Sequence, residues 1–325
     1  MQPTHTHTQQ YRYNNILESR LNEDGVLSVG LAGHATTLLV AMGFACPKIV
    51  SLLIEHGADP RSVDVMGNNP LHYCAIRGNT LAYVQFLTSV KEFDPDMSNH
   101  RGITALGEAV FTGANKKDIV EAMVTKNRKT GNRASNTCFR TNMGYSVLMM
   151  AVENEDCDPE VVQVLHDRLT NGSYHNEAES MINAQARPKE PIHQKIFRNA
   201  VKKMKTSPES IDSTTEYVAL HAGASAVHFA VIRGDLDLVR VLFRTWDCDL
   251  FLKNDLGLDT LDLCERGPYP KIRKLLKRYR AEQVVEDEKK AKEKKRMDFI
   301  IKRNKEIAER DRKAREKAQG CFRFL

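Results

Sequence analysis

Asn69, His72 and Cys74 stand close together in the segment NPLHYCA, residues 69–75, and are residue types that active sites use. Gly78 follows six residues after His72. A catalytic motif is one interpretation of this order. A helix-start signal is the other, and it predicts that the same pattern returns elsewhere in the chain at a fixed period.

The rest of the sequence supplies no partner for catalysis at His72. It contains no G-x-x-x-x-G-K-[ST], G-x-G-x-x-G, H-E-x-x-H or G-x-S-x-G motif. No second metal ligand lies at a useful spacing from His72 or His228, and the histidines at positions 5 and 7 fall in a polar N-terminal stretch. We therefore expect a protein that is not an enzyme and has no cofactor or metal site.

The seven cysteines are scattered and include no C-x-x-C pair; they are Cys46, Cys74, Cys138, Cys157, Cys248, Cys264 and Cys321. This spacing favours reduced, buried thiols over a disulfide or zinc framework. The N-terminus lacks the apolar stretch of a signal peptide, and no run of about 18 apolar residues predicts a membrane span. We expect a cytoplasmic protein, with a nuclear or cytoskeleton-associated location as the alternative.

The helix-start pattern occurs six times, which favours the second interpretation of residues 69–75. The copies are TTLLVAM from Thr36, NPLHYCA from Asn69, TALGEAV from Thr104, SVLMMAV from Ser146, SAVHFAV from Ser225 and DTLDLCE from Asp259. Their third residues are spaced by 33, 35, 42, 79 and 34 positions. Every first residue can cap a helix, because its side chain can accept a hydrogen bond from an unpaired backbone N–H.

Four further features suit a pair of packed helices. Pro70 stands at the first helical position, where its fixed φ favours a helix. The sixth residue is always Ala or Cys, which lets two helices approach closely, and Gly78, Gly113 and Gly234 can end a helix in the left-handed conformation. An apolar-periodic stretch after each copy predicts a second amphipathic helix.

The segments GNNPLHYCAIRGN, GASAVHFAVIRGDLDLVRVLF and IVSLLIEHGADP resemble the ankyrin-repeat signature, in which a T-P-L-H-x-A helix start precedes a glycine break, a second helix and a G-A-D end. The resemblance covers roughly residues 33–280. It implies an all-α solenoid of six or seven ankyrin repeats, with a concave surface that binds proteins. It also implies that His72 and His228 hydrogen-bond to backbone groups near repeat junctions.

Two intervals between copies are too long. About nine extra residues precede Ser146, and residues 122–152 contain five basic and no acidic residues: Lys126, Arg128, Lys129, Arg133 and Arg140. This composition predicts a lengthened loop, which is either a solvated loop or a basic docking surface.

The second long interval contains about 46 extra residues, placed around residues 170–221. MINAQA at 181–186 resembles the loop that opens an ankyrin repeat, and EPIH at 190–193 imitates the helix start. Glu190 is a poor cap, however, and Lys195 occupies the position of the small residue. A helix with Ile192, Ile196, Ala200 and Met204 on one apolar stripe is predicted here, as an insertion rather than a degenerate repeat.

The C-terminal segment differs from the rest in charge. Residues 271–325 contain 21 Lys or Arg against 10 Asp or Glu, a balance of +11, whereas the whole chain carries +6 and residues 1–270 therefore about −5. The segment is rich in helix-forming residues and predicts one long helix to about Gln319. We expect residues 1–32 to be a partly disordered N-terminal segment and 281–325 a basic, coiled-coil-like tail, although its seven-residue seam is weak.

The leading functional hypothesis is a scaffold or adaptor that binds proteins through the concave surface. The predicted binding residues on the loops before the helix starts are Met66, His100, Arg101, Asn142, Met143, His221 and Asp255. Those on the exposed face of the inner helices are Tyr73, Arg77, Phe111 and Arg233.

The alternative is a structural subunit of a large cytoskeletal, axonemal or ribonucleoprotein assembly, held by the tail. The tail's charge suits an acidic partner such as tubulin or RNA. An apolar cluster in this charged helix predicts a docking point, at Phe299, Ile300, Ile301 and Ile307. Charge reversal at Arg77 and Arg233 is expected to weaken partner binding without changing stability, if those residues are on the binding surface.

Overall fold

The computed structural model describes residues 35–112, 116–125, 134–154, 157–170 and 181–321. These residues form fourteen α-helices, and their β-structure consists of isolated bridges. The helices are α1 (Thr37–Phe44), α2 (Pro47–Glu55), α3 (Pro70–Arg77), α4 (Thr80–Ser89), α5 (Ala105–Phe111), α6 (Lys116–Val124), α7 (Val147–Glu153), α8 (Pro159–Thr170), α9 (Pro191–Thr206), α10 (Ser213–His221), α11 (Ala226–Arg233), α12 (Leu236–Thr245), α13 (Thr260–Arg266) and α14 (Pro270–Cys321). The predicted N-terminal segment 1–32, Gly113 and the basic residues 126–133 lie outside the described residues.

Six helices begin directly after the six predicted capping residues, so the helix-start interpretation is confirmed. The N-caps are Thr36, Asn69, Thr104, Ser146, Ser225 and Asp259. The Asn69 side chain, for example, accepts hydrogen bonds from the backbone N–H groups of Leu71 and His72 at 2.9 and 3.2 Å. Gly78 and Gly234 end α3 and α11 with φ values of +65° and +80°, as predicted.

The helices stack as a solenoid of helix pairs. The inner helices pack in the order α1, α3, α5, α7, α11 and α13, and the outer helices in the order α2, α4, α6, α8 and α12. Repeat 1 is therefore α1 and α2, repeat 2 is α3 and α4, repeat 3 is α5 and α6, repeat 4 is α7 and α8, and repeat 5 is α11 and α12. Helix α13 opens repeat 6. The small sixth residues are all buried: Ala41, Cys74, Ala109, Ala151, Ala230 and Cys264.

Loops between an outer helix and the next inner helix, here called fingers, touch one another through their backbones. The His100 N–H donates to the Met66 carbonyl at 2.9 Å, and the Asp255 N–H donates to the Ala222 carbonyl at the same distance. A glycine with positive φ lies in the tip of each finger that leads into α3, α5, α7, α11 and α13: Gly67, Gly102, Gly144, Gly223 and Gly257. The fingers therefore form a row along one edge of the solenoid.

The second long interval contains a helical insertion in the finger of repeat 5. The Ala186 N–H donates to the Ala224 carbonyl at 2.8 Å and the Gly223 N–H donates to the Ala186 carbonyl at 3.1 Å, so the chain leaves and re-enters the finger at one place. Between these points lie α9, a 3₁₀ turn at Pro208–Ser210 and α10. Because α11 packs directly on α7, the segment is not an additional stacked repeat.

The orientation of α9 differs from the expected apolar stripe. Ala200 is buried as expected, but the other fully buried side chain of the helix is Phe197, and Ile192 and Ile196 are exposed. The difference arises because α9 packs on α10, and not on a neighbouring repeat.

The described chain divides into two compact units between Arg273 and Lys274. The C-terminal unit is the continuation of the single helix α14, which confirms the predicted long charged helix. Each side chain from Val284 to Arg310 is exposed. Among the described helices, none combines the length and the apolar character needed to cross a lipid bilayer.

Candidate protein-binding surface

His72 has a structural role. Its ring is buried, with Nε2 2.9 Å from the Ile103 carbonyl oxygen in the next repeat and Nδ1 2.9 Å from the Asn69 side-chain oxygen. Burial lowers the pKa of His72, and burial raises the pKa of the adjacent Cys74 thiol. The expected hydrogen bond to backbone at a repeat junction is thus confirmed for His72, and the described residues contain no group of three or more His, Cys, Asp or Glu suited to a metal ion.

The buried His228 is expected to make the junction between repeats 5 and 6 less stable at acidic pH. Burial lowers the pKa of His228 from 6.5 to about 4, although the carbonyl groups of Leu252 and Leu258 oppose this shift. Because the unfolded chain binds this proton near pH 6.5 and the folded chain near pH 4, stability falls as the pH falls between these values. Between pH 7 and pH 4.5, the free energy of unfolding should therefore fall by about 2 kcal/mol more in the wild type than in His228→Gln, which does not have the titrating imidazole.

Urea unfolding of both proteins at the two pH values measures this difference. Each protein is compared with its own value at pH 7, so that a general loss of stability in the variant does not affect the result. The same pH dependence in both proteins would show that His228 is not the acid-sensitive group.

Tyr73 does not lie on an exposed face, contrary to the expectation. Its side chain is only 6% exposed, and its hydroxyl donates a hydrogen bond to the Asp64 carboxylate at 3.0 Å. Burial and the neighbouring charge of Asp64 raise the pKa of Tyr73. The finger of repeat 2 therefore covers Tyr73.

Arg233, which was expected on the exposed face of the inner helices, is partly buried, and its guanidinium group joins two repeats. The Nη1 group donates to the Val152 carbonyl at 2.9 Å and to the Asn154 carbonyl, both at the end of α7. Arg233 therefore satisfies carbonyl groups that a helix end leaves unpaired. The equivalent Arg77 is partly exposed and lies over the Phe44 ring, 4.4 Å from its centroid, and Phe111 is partly buried.

His221 is buried and fastens the insertion to the solenoid, so the expectation that it is a surface residue is wrong. Its ring stacks on Tyr217 and meets Phe229 edge to face, with centroid distances of 4.0 and 4.4 Å. The Tyr217 hydroxyl donates to the Glu153 carboxylate at 2.5 Å. Helix α10 thus covers part of the inner helices of repeats 4 and 5.

Arg101 is partly exposed, but its guanidinium group pairs with a buried carboxylate. Its Nη2 group donates at 2.5 Å to Glu108, whose carboxylate is buried and also accepts from the Asn99 side chain at 3.1 Å. Arg101 therefore compensates a buried charge on α5.

The remaining predicted finger residues differ in how far they are engaged. Asn142 donates from its side chain to the His100 carbonyl at 3.2 Å, and Met143 is partly buried. Asp255 pairs with Arg187 of the insertion. Met66 and His100 remain exposed on the fingers of repeats 2 and 3.

Met66 and His100 belong to a larger exposed cluster, here called the finger patch, which consists of Val63, Val65, Met66, Met97 and His100. Its four apolar side chains are 37–48% exposed. Asp64 and Asn99, which alternate with them along the two fingers, are buried and make the hydrogen bonds that hold the loops. The alternation directs the apolar side chains away from the core.

Sequence reasoning missed Val63, Val65 and Met97. The apolar–polar alternation in Val63-Asp64-Val65 could have indicated them. In this loop the conformation depends on the buried Asp64 and on the later Gly67, and not on the two valines. Apolar residues in such positions are not needed for the fold.

The architecture defines a class of protein, the solenoid of helix pairs with finger loops. A family model described as "Ankyrin repeats (many copies)" matches residues 38–88, which include Val63, Val65 and Met66 of the finger patch. Residues 38–88 therefore contain ankyrin repeats, and the solenoid has the ankyrin architecture. Domains of this class are typically non-catalytic modules of protein–protein interaction.

Relatives among known proteins support this assignment. An ankyrin repeat protein of fowlpox virus (strain NVSL) is 26% identical over 171 residues, which are 47% of this chain and 38% of the relative. The B-cell lymphoma 3 protein homolog of Mus musculus is 25% identical over 166 residues, 50% of this chain and 35% of the relative. Each alignment thus covers little more than a third of the relative's own length.

Two solved structures are similar to the chain. The crystal structure of the ankyrin repeat domain of Bcl-3 is 24% identical with a TM-score of 0.49, over 79% of this chain and 92% of that chain. A chain in the complex of the endopeptidase Bd0816 with the immunity protein Bd3460 from Bdellovibrio bacteriovorus is 20% identical with a TM-score of 0.50, over 75% and 97%. The second likeness, at 20% identity, concerns the fold alone, and no conclusion about this chain rests on the first.

Proposed function

We propose that the protein is a non-catalytic adaptor whose finger patch binds a protein partner. The observation that carries this proposal is the exposure of Val63, Val65, Met66 and Met97 on two adjacent fingers. Exposed apolar side chains that are clustered and surrounded by polar groups are characteristic of protein interaction sites. Their fixed backbone, held by the buried Asp64 and Asn99, reduces the entropy that binding must overcome.

The expected binding site is narrower than the whole concave surface. The inner helices of repeats 2 to 5 are largely buried, and α10 covers those of repeats 4 and 5. The fingers of repeats 2 and 3 therefore offer an accessible apolar contact area on the N-terminal side.

A paired substitution tests this proposal. We expect Val65→Lys with Met66→Lys to reduce recovery of the partner at least about ten-fold in affinity purification with quantitative mass spectrometry, because loss of two apolar contacts is worth at least about 1.4 kcal/mol. The matched control is Val84→Lys, since Val84 is 41% exposed on α4 of the same repeat. Both variants should unfold within a few degrees of the wild type.

Equal recovery of partners by the wild type and the Val65/Met66 variant would contradict the proposal. Loss of partners by both the variant and the Val84 control would also contradict it, because the effect would then not depend on the fingers.

We further propose the tail as a second docking element, which would make the protein a scaffold. Phe299, Ile300, Ile301 and Ile307 are 39–66% exposed on a helix whose other residues are mostly charged. The basic charge supports an acidic assembly as the partner, such as tubulin or RNA. The same purification with Phe299→Ser, Ile300→Ser and Ile301→Ser should lose a different set of partners from the finger variant, and an unchanged set would refute the tail proposal.

A further inference from the structure

We infer that the exposed face of α9 is a docking site for an acidic, amphipathic segment of a partner protein. The site is separate from the finger patch and does not depend on the function proposed for it. Its components are three unneutralised basic side chains, Lys195, Arg198 and Lys202, and two exposed isoleucines, Ile192 and Ile196.

The charge of α9 is one-sided. The helix contains five Lys or Arg and no Asp or Glu. Two of these cations are already engaged inside the protein: Lys203 lies 3.7 Å from the Asp212 carboxylate, and Lys205 donates to the Asp255 carbonyl at 3.0 Å. The other three have no carboxylate within 4.0 Å among the described residues, and Arg198 contacts only the Gln194 carbonyl of its own helix.

The three free cations share one side of the helix. Lys195, Arg198 and Lys202 are spaced by three and four residues, which places them on adjacent turns. All three side chains are exposed, whereas the opposite side carries Phe197 and Ala200, which are buried. A partner helix with acidic residues at the same spacing would meet them in register.

The isoleucines distinguish this face from a solvated basic helix. Ile192 and Ile196 are 64% and 45% exposed, one helical turn apart, at the flank of the basic row. The buried residues of α9 are Phe197 and Ala200, so the fold does not explain two exposed β-branched side chains in this helix. They fit apolar residues next to the acidic stripe of an amphipathic partner.

The same observations favour a protein over a nucleic acid as the partner of this face. Phosphate groups would be bound by the cations alone and would leave the isoleucines in water. Stacking on bases requires exposed aromatic rings, and the one aromatic side chain of α9 besides His193 is the buried Phe197. A basic row beside an apolar pair therefore indicates an acidic peptide.

The test uses the full-length protein and a synthetic probe. The probe is a fluorescein-labelled peptide of about 18 residues, a length of five helical turns, with glutamates on one stripe and leucines on the adjoining stripe. A shuffled peptide of the same composition, without the two stripes, and a single-stranded oligouridine serve as comparisons. Binding is measured by fluorescence polarisation at low and at physiological salt.

We expect the amphipathic peptide to bind and the shuffled peptide to bind at least about ten-fold more weakly. Ile192→Ser with Ile196→Ser should weaken binding of the amphipathic peptide about ten-fold or more, and Lys195→Glu with Arg198→Glu and Lys202→Glu should abolish it. The matched apolar control is Ile49→Ser with Leu52→Ser on α2, where exposures are 45% and 52%. The matched charge control is Lys290→Glu with Lys292→Glu and Lys294→Glu on α14.

Four results would overturn the inference. Equal binding of both peptides would show general charge attraction only. An equal loss in the charge control would show that the cations of α9 have no special part. Binding of oligouridine alone would assign the face to nucleic acid, and absence of peptide binding would show that it is a solvated face. Val65→Lys with Met66→Lys should leave peptide binding unchanged, so failure here and failure of the finger proposal can be told apart.

Discussion

Gly144→Ala is expected to lower the free energy of unfolding by about 3 kcal/mol or more, because two costs act together. Gly144 has φ +78°, a left-handed conformation that costs an L-residue about 1–2 kcal/mol. A Cβ atom at this position would also overlap the backbone carbonyl group of Arg187, at the base of the insertion. Backbone cannot move aside as a flexible side chain can, so the row of fingers must separate there.

Gly257→Ala is the matched control for this substitution. Gly257 has φ +83° at the equivalent finger position, but a Cβ atom there would meet no other group within 4 Å. Gly257→Ala should therefore lower the free energy of unfolding by the conformational cost alone, about 1–2 kcal/mol. Urea unfolding followed by circular dichroism measures both variants, and equal losses would contradict the close contact between the finger of repeat 4 and the insertion.

Arg101→Met is expected to lower the free energy of unfolding by about 2–3 kcal/mol. The substitution keeps the length of the side chain but leaves the buried Glu108 carboxylate without its cationic partner. Asn99 still donates to this carboxylate at 3.1 Å, and Arg101 is about a third exposed, so the loss should stay below that of a fully buried ion pair.

The addition of Glu108→Gln separates a structural role of Arg101 from a role in binding. A neutral amide at position 108 requires no cation, so the double variant should recover part of the stability that Arg101→Met loses. Unchanged stability of Arg101→Met together with weaker partner binding would restore Arg101 as a contact residue, as the sequence alone suggested.

The sequence predicted the helix starts well because capping is a local interaction. Asn69, for instance, caps α3 through N–H groups two and three residues away. The small sixth residues and the terminal glycines were equally informative, since a close helix contact or a positive φ permits few residue types. The capping residue and the small sixth residue recur in each copy, and the glycine recurs in three of them; together they are typical of ankyrin repeats.

Exposure could not be read from the same pattern. Tyr73 occupies a position open to the concave side, but the finger nine residues earlier covers it through Asp64. Arg233 reaches carbonyl groups about 80 positions away across the insertion. Neither partner is specified by the repeat pattern. The contact of Tyr73 depends on how the finger folds over α3, and that of Arg233 on which helices become neighbours across the insertion.

For a related reason, the sequence identified only part of the finger patch. Met66 and His100 were chosen because they precede helix starts, whereas Val63, Val65 and Met97 required knowledge of which finger residues point inward. The buried Asp64 and Asn99 provide that knowledge in the structure.

Site-specific photo-crosslinking would show whether the partner binds at the fingers. A benzophenone amino acid replaces Val65 in one full-length protein and Val84 in another, and both are irradiated in the presence of the purified partner. We expect a covalent adduct from position 65 and none from position 84, which lies on the outer helix of the same repeat. Adducts from position 84 alone, or from neither position while the partner remains bound, would place the binding surface elsewhere.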